Sequence, residues 1–576
     1  MTTSLSSNTS ATTLYPPQDP GQLSERKVGL DGIPNDIHYL IASELMECSP
    51  SAVQALGQSS KTLRQATLPL VFRHLVLKRS TKGSQTYEAY QALVEAFREH
   101  GNNEIAHHVR SLVVKNDLPE EDLMLVLDKI SECGTLSKLS WETTAHISPS
   151  VLDKLHATWP DLELSVCVLN RAKAPIVLHR QMDTKLLSSP LLKKLTYNVY
   201  HEGASPEKPA RSEWPKLTHA LVSGGNVRAL KIDSQPDRNR HRGDHVLKYT
   251  EPIRMMRLDI TPGIRLPALE EFAFRGEGSW GPPPYLWDAE HCQLLREAMD
   301  MSRLRKLDFG SVMPVAFFST FTGLLPELKA LRFGIVPDGS INVTTRFIKS
   351  LKSLESLDIG RAQSAIDLLW PAIMKHKGSL KELILRPTTA GYCQPQYIDL
   401  ERLQTLSIQF PMLERLGWDA PCKVEGNIIK LYRKTLGRPE HHVDPKHFAI
   451  VRSMNLKKLD LFLHLPDHAT VYSEQLEQDA MGSIEAPPLD IDGSRAAAIG
   501  IMETISKAQE RPLEKLTLHF ARTGRSDRCQ PYMMDTMMHL RRSKEEGAVG
   551  DSKYEVRGNQ SWWGVSELQQ EIMFED

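Results

Sequence analysis

Five segments near the middle of the chain decide how the rest is read: LRKLDF at Leu304–Phe309, LKALRF at Leu328–Phe333, LESLDI at Leu354–Ile359, LKELIL at Leu380–Leu385 and LQTLSI at Leu403–Ile408. Each has leucine at its first and fourth positions and an apolar residue at its sixth. Side chains alternate between the two faces of a strand, so the fourth and sixth residues point one way and the residue between them points the other. The segments begin 24, 26, 26 and 23 residues apart. That interval accommodates one strand and one returning helix. Apolar residues at helical spacing occupy such intervals: Leu294, Leu295, Ala298 and Met301 before the first segment, and Phe347, Ile348 and Leu351 before the third. A strand–helix unit of this size buries its apolar side only against its neighbours, which predicts a stacked α/β array with parallel strands.

The pattern extends outward in both directions. Val109-Leu112-Val114, Leu136-Leu139-Trp141, Leu192-Leu195-Tyr197, Val227-Leu230-Ile232 and Leu269-Phe272-Phe274 precede the central run, and Leu456-Leu459-Leu461 and Leu513-Leu516-Leu518 follow it. Helical spacing recurs at Leu123, Leu127 and Ile130 and at Leu152, Leu155 and Trp159. A period of roughly 20–29 residues with an L-x-x-L-x-L core is that of leucine-rich repeats, and the array resembles one. Regular repeats carry Asn or Cys five residues after the second leucine, where the side chain bonds the loop backbone. Here those places hold Val312, Val336, Ala362, Thr388 and Pro411. The expectation is an irregular leucine-rich-repeat-like solenoid, a horseshoe of uneven curvature whose turns are satisfied one by one. Polar or Gly/Pro-rich stretches at Ser234–His245, Gly276–Tyr285 and Pro466–Arg495 read as surface insertions, the last with seven acidic residues and one base.

The chain has 576 residues, beyond the roughly 250–300 at which a single core stops growing. With 70 Lys+Arg against 71 Asp+Glu there is no global field to attract nucleic acid or an anionic membrane, and neither is expected as a partner. Apolar runs are all far shorter than the roughly 18 residues of a membrane span. Residues 1–27 read as a disordered tail without the charge and apolar core of a secretory signal. Seven scattered cysteines, none in C-x-x-C, fit reduced thiols and a cytoplasmic or nuclear location. The sequons at Asn8, Asn342 and Asn559 are then coincidental.

Residues 28–78 read as three short helices. Pro34 suits the first turn of a helix, and Ile37, Leu40, Ile41 and Leu45 form one stripe along it; the helix should stop before Ser49-Pro50. Ser51 is the expected N-cap of a second helix carrying Ala52, Val53, Ala55 and Leu56. A third carries Leu63 and Ala66 and runs into Leu68-Pro69-Leu70-Val71-Phe72, after which Arg73–Leu77 alternates like a strand. Some fifty residues bury too little surface for a strong core, so this unit wants a partner.

Gly32-Ile33-Pro34-Asn35-Asp36-Ile37 with Ile41 and Leu45, then Ala55-Leu56, Ser60–Arg64 and Leu68–Leu75, resemble an F-box. Ile33-Pro34 stands where that family has Leu-Pro, and Leu63 where it usually has Trp. The resemblance implies docking on a Skp-family adaptor, and through it a cullin. It makes Ile33, Pro34, Ile37, Ile41, Leu45, Leu56 and Leu63 the adaptor-binding candidates, sharing that work with the unit's own core. The alternative is a helical cap on the array. Residues 79–530 form the expected array. Residues 531–576 form a C-terminal cap or tail, in which Trp562-Trp563 and the helical pattern Val565, Leu568, Ile572 and Met573 would cover the last apolar layer.

Chemistry-bearing motifs are weak. Gly276–Gly281 matches G-x-G-x-x-G, but Pro282-Pro283-Pro284 follows where a dinucleotide site needs a helix. His441, His442, Asp444 and His447 lack the spacing of a zinc site. The basic clusters Arg238–Arg242 and Arg541–Lys544 suit solvated loops. The expected protein is therefore non-catalytic, with no catalytic residue, cofactor or metal. It is a substrate-recognition subunit of an SCF-type ubiquitin ligase that binds an unknown protein target through the array, or else an interaction scaffold without cullin coupling.

Overall fold

The structure, a computed structural model, describes residues 33–80, 82–99, 104–134, 136–169, 171, 180–202, 211–236, 257–276, 285–310, 312–334, 338–360, 366–386, 398–420, 445–465, 499, 502–503, 505–506, 513–522, 535–542 and 554–561. The N-terminal tail lies outside these, as do the proline run after Gly281, the basic cluster Arg238–Arg242, all of the acidic insertion Pro466–Arg495, the first three members of the histidine cluster and Trp562 onward. The chain divides into two units, Met1–Arg73 and His74–Asp576.

The first unit has three helices that pack on one another, α1 (Asn35–Cys48), α2 (Pro50–Ser59) and α3 (Lys61–Val71). Pro34 immediately precedes α1, and its carbonyl accepts from the N–H groups of Ile37 and His38 at 3.0 and 3.1 Å. The second helix opens on Pro50 with Ser49 at the capping position, so the expected cap at Ser51 is displaced by two residues. Proline at the first helical position costs no hydrogen bond and sets the helical φ in advance. Ser60 caps α3 through a 3.2 Å bond from Leu63 N–H to its hydroxyl. A Cβ on Gly57 would lie 2.5 Å from Thr67 Oγ1, so glycine is what lets α2 and α3 cross this closely. Ala42, Val53, Leu63 and Ala66 are buried.

The second unit is α/β, built on a mostly parallel 17-stranded sheet. Its strands are β1 (His74–Lys78), β2 (Ser111–Lys115), β3 (Lys138–Glu142), β4 (Glu163–Val168), β5 (Leu192–Glu202), β6 (Arg211–Ser212), β7 (Ala229–Pro236), β8 (Glu271–Gly276), β9 (Lys306–Asp308), β10 (Ala330–Phe333), β11 (Ser356–Gly360), β12 (Glu382–Arg386), β13 (Arg415–Ala420), β14 (Lys458–Leu465), β15 (Lys515–Arg522), β16 (Asp535–Arg542) and β17 (Tyr554–Ser561). From β1 to β15 each strand pairs in parallel with the next, except that β6 is a short antiparallel addition to β5 and β5 pairs directly with β7. Strand β1 belongs to this sheet, which moves the expected boundary at residue 78 back to Arg73. Backbone pairing with Ser111–Lys115, not continuity with the preceding helix, decides where His74–Lys78 belongs.

The register aligns the apolar residues. Leu75, Leu112, Leu139 and Leu164 stand side by side on β1 to β4. After a register shift at Leu164/Ser165 the row resumes with Leu195 and runs through Leu230, Phe272, Leu307, Leu331, Leu357, Leu383, Leu416, Leu459 and Leu516. All are buried. Helices fill the returns, several with side-chain caps at their starts: Ser84, Ser148, Asp183, Asp288 and Asp399 each accept a backbone N–H three residues on.

Two sequence expectations change. Leu403-Leu406-Ile408 is not a strand but lies in the helix Leu400–Gln409, where Leu403 and Leu406 are buried, as is Phe410 at the C-cap, while Ile408 is 72% exposed. The strand copy is Leu413-Leu416-Trp418, all three buried. A short apolar run satisfies both periods, and the Asp399 cap resolves it in favour of helix. At the C-terminus, β16 and β17 continue the sheet antiparallel where a cap or tail was expected.

Strand entry shows a regularity the missing Asn positions would not suggest. Glu355 and Ser356 N–H groups both donate to the Lys329 carbonyl at 2.7 and 2.9 Å, and the same shared acceptance recurs at Arg305, Glu355, Lys381, Glu414 and Lys457. The turn order therefore resides in the backbone at the start of each strand.

Within the core, the Tyr285 hydroxyl shares a hydrogen bond with His291 Nε2 at 2.5 Å and accepts from Leu258 N–H at 3.2 Å. Burial, and then the nearby Arg257, push His291 down to about 4. The folded state thus binds fewer protons than the unfolded one between the ordinary histidine value and about 4. Stability from this group is complete above about pH 6.5 and falls on acidification by up to about 1.4 kcal/mol per pH unit. Urea unfolding at pH 7, 6 and 5 will show this slope in the wild type and a shallower one in His291→Gln. Replacing Leu357, fully buried in the row, by Ala will destabilise the second unit by about 2–5 kcal/mol in the same assay.

Candidate functional site

Two surfaces stand out, one in each unit. On α1 the residues of the expected stripe face outward: Ile37 is 41% exposed, Leu40 58% and Ile41 40%. His38 and Ala42, one residue further on from Ile37 and Ile41, are the buried positions. Of the remaining candidates, Pro34 is exposed, Ile33, Leu45 and Leu56 are half-buried, and Leu63 is buried. Leu63 therefore does the internal-core share of the work expected of these residues. Leu40 takes a place among the outward residues. Its membership of the stripe was visible in the sequence, but only burial separates a stripe that faces the core from one that faces away.

The second surface is the face of the sheet turned away from the leucine row. It comprises the residue before and the residue after each row position, since alternate residues of a strand share a face. On β9 to β12 this face carries a chain of opposite charges. Arg332 Nε lies 3.9 Å from Asp308 and 3.4 Å from Asp358, and Arg386 grips Asp358 through Nε at 2.9 Å and Nη2 at 2.8 Å. Asp308 and Asp358 are buried despite lying on a sheet face, which strengthens each contact and makes an unpaired member costly.

The chain of charges continues on β12 to β14. Arg415 Nε donates to Asp460 at 2.7 Å, and its Nη1 lies 3.9 Å from Glu382, which itself accepts from Ser356 at 3.0 Å. Burial acts to lower the Arg415 pKa, but Asp460, with Glu382 and Asp358, outweighs it, and the net shift is upward. Gly417 sits between Ile384 and Asp460, where a Cβ would meet Ile384 Cγ2 at 2.9 Å and Asp460 Cβ at 3.2 Å. Its missing side chain leaves the space through which Arg415 and Asp460 meet.

A separate ladder of exposed pairs runs along the strand entries, Lys329–Glu355 at 3.5 Å, Glu355–Lys381 at 2.8 Å and Glu414–Lys457 at 2.7 Å. The Lys381 hydrogen bond lowers the Glu355 pKa. Such exposed pairs contribute little to stability.

The buried titratable groups of the second unit are structural. Arg171 is enclosed between the Tyr197 and Tyr200 rings at 4.5 and 4.8 Å and paired with Glu213. Burial pushes the Cys292 thiol up to about 12, away from the thiolate a nucleophile needs. Among the described residues no three His, Cys, Asp or Glu side chains are placed to hold a metal ion, and no helix is long and apolar enough to cross a membrane. No protein-family model matches the chain, and no curated protein matches it either.

Sequence reasoning missed the charged face because the central residue of each strand is legible only once neighbouring registers are known. The signal was present in Asp308, Arg332 and Asp358, each one residue after a row leucine. Asp358→Ala takes from Arg386 its paired carboxylate and from Arg332 the nearer of its two acids, and will lower stability by about 1–3 kcal/mol in urea unfolding. Glu355→Ala, on the exposed ladder, will change it little.

Proposed function

We propose that this chain is a substrate-recognition subunit of an SCF-type ubiquitin ligase, with residues 33–73 acting as a divergent F-box and the strand–helix array acting as an irregular leucine-rich-repeat-like receptor. The observation that carries this reading is the outward apolar stripe Ile37, Leu40 and Ile41, on three helices that already have their own buried residues. An amphipathic helix that leaves such a stripe in water gains by laying it into a hydrophobic groove on another helical protein. The F-box resemblance names that partner as a Skp-family adaptor, which in turn bridges to a cullin. Ile33, Pro34, Leu45 and Leu56 flank the stripe as secondary contacts.

In this reading the chain performs no chemistry. It holds a protein target on the array while the adaptor holds the array near a charged conjugating enzyme. Tethering raises the effective concentration of target lysines at the reactive thioester and removes the entropic cost of their encounter. The paired charges of the strand face supply polar recognition, and the scattered reduced cysteines fit work in the cytoplasm or nucleus.

The test is capture of the purified full-length chain by a Skp-type adaptor, beside Ile37→Asp. A charge at the centre of a desolvated groove will weaken binding by more than about thirtyfold. Circular dichroism of the variant will match the wild type, because Ile37 is not part of the buried core. A folded wild-type chain that fails to bind the adaptor sinks the proposal.

A further inference from the structure

The position just before each row leucine is one continuous line of side chains across the sheet face. Along most of it, a cation has an acidic or small neighbour: Lys138 stands next to Glu163 at 3.7 Å, and Glu271 sits between Ala229 and Lys306. Ala330, Ser356 and Glu382 follow. Beyond Glu382 the pattern breaks. Arg415, Lys458, Lys515 and Arg541 are in register on β13, β14, β15 and β16, four cations on four adjacent strands. Neighbouring strands lie about 4.8 Å apart, so the row spans about 14 Å.

Like charges directly opposite one another across strands destabilise a sheet. The acids near this row are few. Asp460 and Glu382 are engaged with Arg415, Glu514 precedes Lys515, and Glu555 of β17 is opposite Arg541 in register. The side chains of Lys458, Lys515 and Arg541 are in no ion pair with a described residue; their backbones are held in the sheet. Lys515 is half-buried, and its pKa is lowered by that burial first and by Arg415 next; Asp460 opposes the shift, and Lys458 and Arg541 add to it, so the net direction is downward. Such a row is disfavoured in the free protein and relieved by an anion laid across it.

We infer that the Arg415–Lys458–Lys515–Arg541 row is the seat of an extended acidic segment of the protein target, with carboxylates at alternate positions. Alternate residues of an extended peptide lie about 6.6–6.8 Å apart on one side, so three acidic residues at i, i+2 and i+4 cover about 13 Å, the length of the row. A single phosphoryl group would engage only part of it. This inference rests on the receptor reading above, for which it names the chemistry of the target.

The probe is a fluorescein-labelled peptide with three glutamates at alternate positions in a Ser/Gly background, titrated by anisotropy with the full-length chain. Wild type will bind it, more weakly as salt rises. Lys458→Gln and Lys515→Gln will each weaken binding by about tenfold, and Lys515→Arg will retain it. Lys138→Gln, at a paired place in the same line, will have no effect. Lys458 is exposed, so its variant reports on binding even if Lys515→Gln does not fold. Three outcomes overturn the inference: no binding by wild type, equal binding of a peptide with contiguous glutamates or a single phosphoserine, or tighter binding of single-stranded RNA that depends on the same lysines. Adaptor capture by the same preparation separates the two proposals. Capture without peptide binding removes only the acidic seat, and peptide binding without capture removes only the ligase reading.

Discussion

The second unit depends on one alignment, the row of buried leucines that runs in register from strand to strand. Each strand is too short to be stable alone, with β9 assigned only three residues. Its leucine gains by leaving water only if the next strand offers its own at the same height and a helix closes over both. Parallel pairing supplies the first condition, because in-register partners point to the same side. The helices supply the second, with Phe317 and Phe318 edge-on to Phe309, just after β9, Phe318 edge-on to Phe333 of β10, and Phe321 and Phe347 stacked on Phe317 and Phe318. Slipping one strand by a single residue would turn its leucine outward and carry a charged neighbour into the core.

That same constraint creates the second face of the sheet. Once the leucines are fixed inward, the residues on either side of them are fixed outward, and they form lines across the sheet whatever their chemistry. Evolution of a recognition surface on such a scaffold needs no change of fold, only of these flanking residues. Asp308, Arg332, Asp358 and Arg386 use that freedom to neutralise one another, and Gly417 gives up its side chain so that Arg415 and Asp460 can meet. The row ending in Arg541 uses it to accumulate charge. Core packing and surface chemistry are thereby assigned to alternate residues of the same strands.

The first unit follows the opposite logic. Its three helices bury a few small residues, Ala42, Val53 and Ala66 with Leu63, and leave the larger Ile37, Leu40 and Ile41 outside. Gly57 brings α2 against α3 and so lets so small a set of side chains close a core. On α1 it is alanine that is hidden and isoleucine that meets water.

Much of this was legible in the residues alone. The L-x-x-L-x-[apolar] spacing determined the parallel strands at Leu307, Leu331, Leu357 and Leu383, because a period of two and a fixed repeat length admit few other arrangements. The stripe on α1 was equally plain. What the sequence left undecided were places where two periods coincide or one signal is missing: Leu403-Leu406 fits helix and strand alike, and β4 lacks the leading leucine, with Asp161 at that place. Only tertiary structure settled these, because a helix cap at Asp399 and backbone pairing to Leu139 and Leu192 are decided by partners far away in sequence. The sides taken by Leu63 and Leu40, and the meeting of Arg415, Lys458, Lys515 and Arg541 in one line, were likewise tertiary facts. Burial and register belong to pairs of segments, and no segment carries them alone.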